Sequence, residues 1–200
     1  MIKPMFIACQ PFGPDAGGRW GNYVKWSGLT QLTEVVSLDE LLCPNVIDEI
    51  SDEDWNHNVH EDFLSDFFWD LDYLLERVRA ITDVQVLAAL REPGLDCAGE
   101  LSDRRFVFEG YDLVDKRGGI SVLTNCGGFP ASFENSELSR VGLIDSYGCA
   151  FDIQCSLRTN YPDVSHTDCC VWALWRMVNE GDDAPSGIAP GGSGDDLARL

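Results

Sequence analysis

Positive charge is scarce in this chain. Fourteen Lys and Arg stand against 34 Asp and Glu, so its 200 residues carry a net charge of −20. Between Lys25 and Arg77 there is no Lys or Arg at all, while Glu34, Asp39, Glu40, Asp48, Glu49, Asp52, Glu53 and Asp54 accumulate. Such a chain is ill suited to gripping nucleic-acid phosphates or an anionic membrane surface, both of which need the opposite sign. No apolar run approaches the roughly 18 residues that span a bilayer. The opening MIKPMFIACQPFGP is broken by Pro4 and Pro11 and has no secretory apolar region, so a cytoplasmic location is expected. Motifs are missing too: there is no P-loop, no G-x-G-x-x-G, no G-x-S-x-G elbow, no H-E-x-x-H and no internal repeat.

What is present argues for a folded chain. The apolar fraction is 44% and there are six Trp, enough for a core without disulfide or metal staples. The eight Cys sit mainly in apolar runs such as Ile7-Ala8-Cys9, Leu41-Leu42-Cys43 and Cys169-Cys170-Val171, as small buried hydrophobes and reduced thiols do. Residues 1–178 read as one globular α+β domain. Residues 179–200, rich in Gly, Pro, Ser and Asp, read as a disordered acidic tail.

Residues 61–80 (EDFLSDFFWDLDYLLERVRA) organise the expected fold. Phe63, Leu64, Phe67, Phe68, Leu71, Leu74, Leu75 and Val78 recur at helical spacing, with acids between them, which predicts one long amphipathic helix laid on a sheet. Strands are expected at 5–9, 32–38, 84–90, 105–115, 120–125 and 169–178. The Lys116-Arg117-Gly118-Gly119 turn makes 105–125 a hairpin. Residues 11–30, with five Gly and two Pro, read as a long loop carrying Trp20, Tyr23 and Trp26. Short and longer helices are expected at 135–141 and 145–160. The result is a mostly antiparallel sheet covered by the long helix and a second helix.

The segments WGNYVKWSGLTQLTEVVSLDELLCP, HEDFLSDFFWDLDYLL, LTNCGGFP and CVWALWRM are similar to those of a family of bacterial proteins with no assigned activity. The resemblance runs over most of residues 20–178. It implies a bacterial intracellular domain and carries no catalytic residue across.

Four constellations bear on chemistry. His166 precedes Cys169 and Cys170, and Cys126 ends another strand; an imidazole beside a thiol is what a catalytic cysteine needs, yet adjacent strand residues face opposite ways, so at most one thiol can join His166. Cys149, Cys155, His166, Cys169 and Cys170 lack the close-pair spacing of structural zinc, Cys149 and Cys155 being about 120° apart on a helix at 3.6 residues per turn. His57, His60, Glu61 and Asp62 offer imidazole and carboxylate without a second layer of ligands from other helices. Gly127-Gly128 reads as a tight turn. No cofactor or metal is expected.

The leading expectation is therefore a non-enzymatic, acidic interaction protein that docks a basic protein partner, in the manner of an immunity-type, toxin-neutralising protein. Asp62, Asp66 and Asp70 would supply the charged stripe, with Trp55, Trp69, Trp20 and Trp26 as aromatic anchors. The alternatives are an enzyme or ligand-binding pocket near Cys126, His166 and Cys169, and a nucleic-acid mimic.

Overall fold

The run CCVWALWRM is apolar at nearly every position because it becomes the strand flanked on both sides and covered on both faces. In the computed structural model, which describes residues 3–47, 49–61, 63, 65–94, 101–124, 133–164 and 167–178, four strands form one antiparallel sheet in the order β1–β2–β4–β3. They are β1 (Met5–Cys9), β2 (Gln85–Arg91), β3 (Phe106–Asp115) and β4 (Cys169–Met177). Alternation along β4 sends Trp172 to one face, where it stacks on Phe67 at 5.6 Å, and Trp175 to the other, against Phe108 at 5.3 Å. Both indoles are essentially buried.

Three α-helices accompany the sheet: α1 (Gly18–Ser27), α2 (Leu71–Val78) and α3 (Tyr147–Asn160). Helix α3 starts at Ser146, whose side chain accepts from the Cys149 N–H, and it buries Ala150, Ile153 and Leu157 as expected. It ends at Asn160, before Pro162.

The long helix expected over 61–80 is not formed; among the described residues of that stretch only Leu71–Val78, α2, is helical. Two features stop it. Asp70 is extended and its carboxylate accepts from the Tyr73 N–H, so it caps a helix that begins at Leu71. Phe67 and Phe68 are both fully buried, and Phe68 exchanges both backbone hydrogen bonds with Phe6 at 2.8 and 2.9 Å. Successive side chains of extended backbone point to opposite sides, which lets Phe67 reach Trp172 while Phe68 faces Tyr73.

Residues 11–30 depart from expectation in the other direction. They hold a 3-10 turn at Pro14–Ala16 and the ten-residue α1. Its outer glycines are caps: Gly28 takes a left-handed φ of 72° and donates its N–H to the Val24 carbonyl. Phe12, Trp20 and Tyr23 form a ring cluster beneath the helix, with centroids 5.5–6.4 Å apart.

Residues 32–38 make no strand. Val35 donates to Phe12 O and Val36 to Val141 O, so this stretch crosses between two loops. The expected hairpin is brief: Val114 and Ser121 bridge after a turn at Gly118, and Val122 donates to Leu113 O. Residue 125 lies outside the described residues. The expected helix at 135–141 is a 3-10 turn, Asn135–Glu137, closed by a capping box of Glu134 and Glu137. The tail over 179–200 also lies outside the described residues.

Candidate functional site

The acidic stretch folds around one carboxylate. Asp54, fully buried at the start of a 3-10 turn, accepts from the Ser51 N–H (2.7 Å) and Oγ (2.8 Å) with one oxygen. Its other oxygen accepts from Tyr73 Oη (2.9 Å) and Arg77 Nε (3.1 Å). Burial alone would push this carboxyl up; the donors outweigh it and hold it down at about 2. An ionised Asp54 thus fastens the turn to α2.

That fastening sets the surface above it. The His57 ring stacks on Tyr73 at 3.9 Å with planes 5° apart, and its Nδ1 lies 3.2 Å from Asp70 Oδ2. The Tyr73 N–H, with the His57 ring, holds Asp70 below the usual carboxylate range. Trp69 donates its N–H to His57 O at 2.9 Å, and the Trp55 ring lies against His60 at 4.1 Å. Trp55 is 60% exposed and Trp69 37%. A cleft of about 470 Å³ opens beside Trp69, and its walls include Lys3, His57, Asp70, Asp72 and Arg105.

The expected residues are distributed unevenly over this surface. Trp69 and Asp70 share one cleft with His57, and Trp55 stands on the turn that leads into His57. Asp66 does not join an outward stripe, because the backbone there is not helical; it is half-buried, and burial raises its carboxyl against an opposing Asn58 hydrogen bond. Trp20 and Trp26 ride on α1, and no ring contact among the described residues links them to Trp55 or Trp69. Asp62 lies outside the described residues. The surface also carries cations that the linear sequence gave no reason to place there. Arg77 meets Asp54, Arg91 meets Glu61 at 2.9 Å, and Lys3 Nζ sits 5.9 Å from the centre of the Trp69 ring.

Of the thiols in the alternative pocket, only Cys169 and its neighbour Cys170 lie among the described residues, and both are poorly placed to react. Cys169 is fully buried and Cys170 nearly so, and burial pushes their thiols up to about 12 and about 11. Cys126 and His166 lie outside the described residues, as do Gly127 and Gly128. Cys149 is half-buried with its thiol 3.5 Å from Glu137 Oε1, and Cys155 is exposed on the same helix. His57, His60 and Glu61 are each engaged elsewhere, with Asp70, Trp55 and Arg91. Among the described residues no three His, Cys, Asp or Glu side chains converge on one point.

Sequence reasoning missed a second carboxylate cluster. Asp112 on β3 accepts from Ser121 Oγ (2.5 Å), Ser37 Oγ (2.7 Å) and Leu38 N (3.3 Å). Asp39 accepts from Leu41 N and Leu42 N with one oxygen, and from Ser121 N and Thr124 Oγ1 with the other. Both are buried. Burial pushes Asp112 up to about 6, with Asp39 adding to the push against three opposing hydrogen bonds. A charged residue in the apolar run Tyr111-Asp112-Leu113-Val114 was the available signal. Every oxygen of the pair is taken up in tying three segments together, so the cluster is structural. The larger cleft of about 660 Å³ beside Phe12 and Arg19 has mixed polar walls, and Glu34 there is already paired with Arg176 at 2.8 Å.

Compared with protein-family models, curated proteins and solved structures, the chain matches none.

Proposed function

We propose that this protein is a binding module that docks a basic protein through the surface carrying Trp55, Trp69, Asp70 and Asp72, and that it acts as an immunity-type, toxin-neutralising partner. One observation carries the reading: an exposed Trp69 stands beside a cleft walled by Asp70 and Asp72, and an exposed Trp55 rides on the turn that Asp54 fastens to α2. Tryptophans on a rigid base are the usual energetic centres of protein interfaces, because they bury much area at little entropic cost. A net charge of −20 supplies long-range attraction for a basic partner and speeds capture, up to about 10⁸–10⁹ M⁻¹s⁻¹ at low salt. Nucleic-acid-cleaving toxins are basic by necessity, which makes them the partner class this charge fits. The resemblance to a bacterial family belongs to the same proposal.

Association with a panel of small basic nucleases, followed by calorimetry and stopped-flow fluorescence, tests it. The expected result is tight binding of at least one member, slowed by salt and weakened at least tenfold when Trp55 and Trp69 are both replaced by Ala. Binding that is indifferent to both tryptophans, or none above the ionic background, overturns the proposal.

A further inference from the structure

The geometry points to the cleft beside Trp69 as a receptor for a lysine or arginine side chain of the partner, and to Lys3 of this same chain as the stand-in that fills it until the partner arrives. This rests on the docking reading of the same surface and adds a side-chain class and a competitor to it. The Lys3 ammonium lies 5.9 Å from the Trp69 ring centre, at the reach of a cation–π contact, and among the described residues it makes no ion pair. Asp70, Asp72 and Asp103 line the same cleft, with Lys3 and Arg105 as the cations. Asp103 is committed to Arg105 at 2.6 Å, and Asp70 is shared between His57 and the first turn of α2. Asp72 has no cationic partner among the described residues. When Lys3 leaves, three carboxylates face a single guanidinium, and an incoming cation restores the balance over the same aromatic face.

Lys3 is placed to leave. It is exposed and precedes Pro4, while the sheet ladder begins only at Met5, so its withdrawal breaks no strand pairing. An exposed cation–π contact is worth about 0.5–1 kcal/mol, which corresponds to a competitor that costs the partner roughly two- to fivefold in affinity.

The test uses the full chain and a short lysine–glycine repeat peptide, titrated by calorimetry and by the tryptophan indole N–H resonances. Lys3→Met should bind the peptide about two- to fivefold more tightly than the native protein. Lys25→Met, which removes the same charge from the end of α1, should change it less. The Trp69 indole resonance should shift in Lys3→Met without peptide and shift on titration of the native protein, while those of buried Trp172 and Trp175 stay in place. If Lys3→Met binds no better than Lys25→Met, or the Trp69 resonance ignores the peptide, the stand-in is refuted. Should Trp55→Ala still weaken binding in that case, the docking surface survives without it. If the peptide does not bind, or binds equally well to Trp69→Ala, the lysine-receptor reading falls, and the nuclease panel alone decides the docking reading.

Discussion

Asp112→Asn separates the cost of a buried charge from the value of its hydrogen bonds. Asp112 is fully buried and pushed up to about 6 in the folded chain, against 3.8 for an ordinary aspartate. Because the folded pKa is raised, the native state holds the proton more tightly between those two values. The associated stability is complete below pH 3.8 and is lost as pH rises through 6. At about 1.4 kcal/mol per pKa unit the loss totals about 3 kcal/mol, of which about 2 kcal/mol falls between pH 4.5 and 7.5. Asn carries no titrating proton, so the variant lacks that decline, and it also relieves Asp39 of a neighbouring charge. Urea unfolding followed by tryptophan fluorescence gives both stabilities at each pH. Whatever Asn gains or loses in local hydrogen bonding, the variant's stability relative to the native protein should improve by about 2 kcal/mol from pH 4.5 to 7.5. A difference that stays flat across that window refutes the account of Asp112 as a charge ionised against burial.

Three other measurements probe separate parts of the structure. Gly110 holds a φ of 143° at the bulge in β3, where an added Cβ would lie 2.8 Å from Leu143 Cβ and 3.0 Å from Ile144 O; Gly110→Ala should cost about 3 kcal/mol, and an unchanged urea midpoint contradicts the bulge. Asp54 behaves oppositely to Asp112: held at about 2, it lends stability above pH 3.8 that disappears as pH falls through 2, about 2 kcal/mol in all, so Asp54→Asn should flatten the acid limb followed by circular dichroism. Native-state thiol labelling at pH 7.4, read by peptide mass, should modify Cys155 ahead of the other described thiols and leave Cys9, Cys43, Cys169 and Cys170 until unfolding; rapid labelling of Cys169 or Cys170 contradicts their burial.

Three of the strands legible from sequence share one property, an apolar run bounded by breakers, while β3, expected at 105–115 and found at Phe106–Asp115, was legible despite Glu109, Gly110 and Asp112. β1, β2 and β4 fall within a residue or so of expectation because a buried strand needs apolar side chains on both faces. Helix α3 was legible through the spacing of Ala150, Ile153 and Leu157 and the stop before Pro162, all of them local signals. The misreadings at 61–80 and 11–30 have separate causes. Phe63, Phe67, Leu71, Leu74 and Val78 keep helical spacing whether they lie on one helix or on an extended segment that feeds a short one, and spacing alone does not separate the two. What decided the matter was the bridge from Phe68 to Phe6, a contact across more than sixty positions of chain. In 11–30 the glycines were read as breakers of structure, whereas Gly28 marks where a helix ends.

The site was half legible for a related reason. Trp55, Trp69 and Asp70 could be nominated from the acidic, aromatic stretch, but the charge of a surface belongs to space and not to sequence. A stretch without one Lys or Arg from residue 26 to 76 folds so that Lys3, Arg77, Arg91 and Arg105 return to it from other elements. Those cations do two different things. Arg77 is locked to a buried carboxylate and serves the scaffold, since an unpaired Asp54 in that position would be costly. Lys3 meets only an exposed ring and is held by a contact weak enough to exchange. Under the docking proposal, a surface with both kinds of cation keeps its shape through the first and its openness to a basic partner through the second. The affinity of this face should therefore respond to Lys3 far more than its folding does, and to Arg77 in the reverse order.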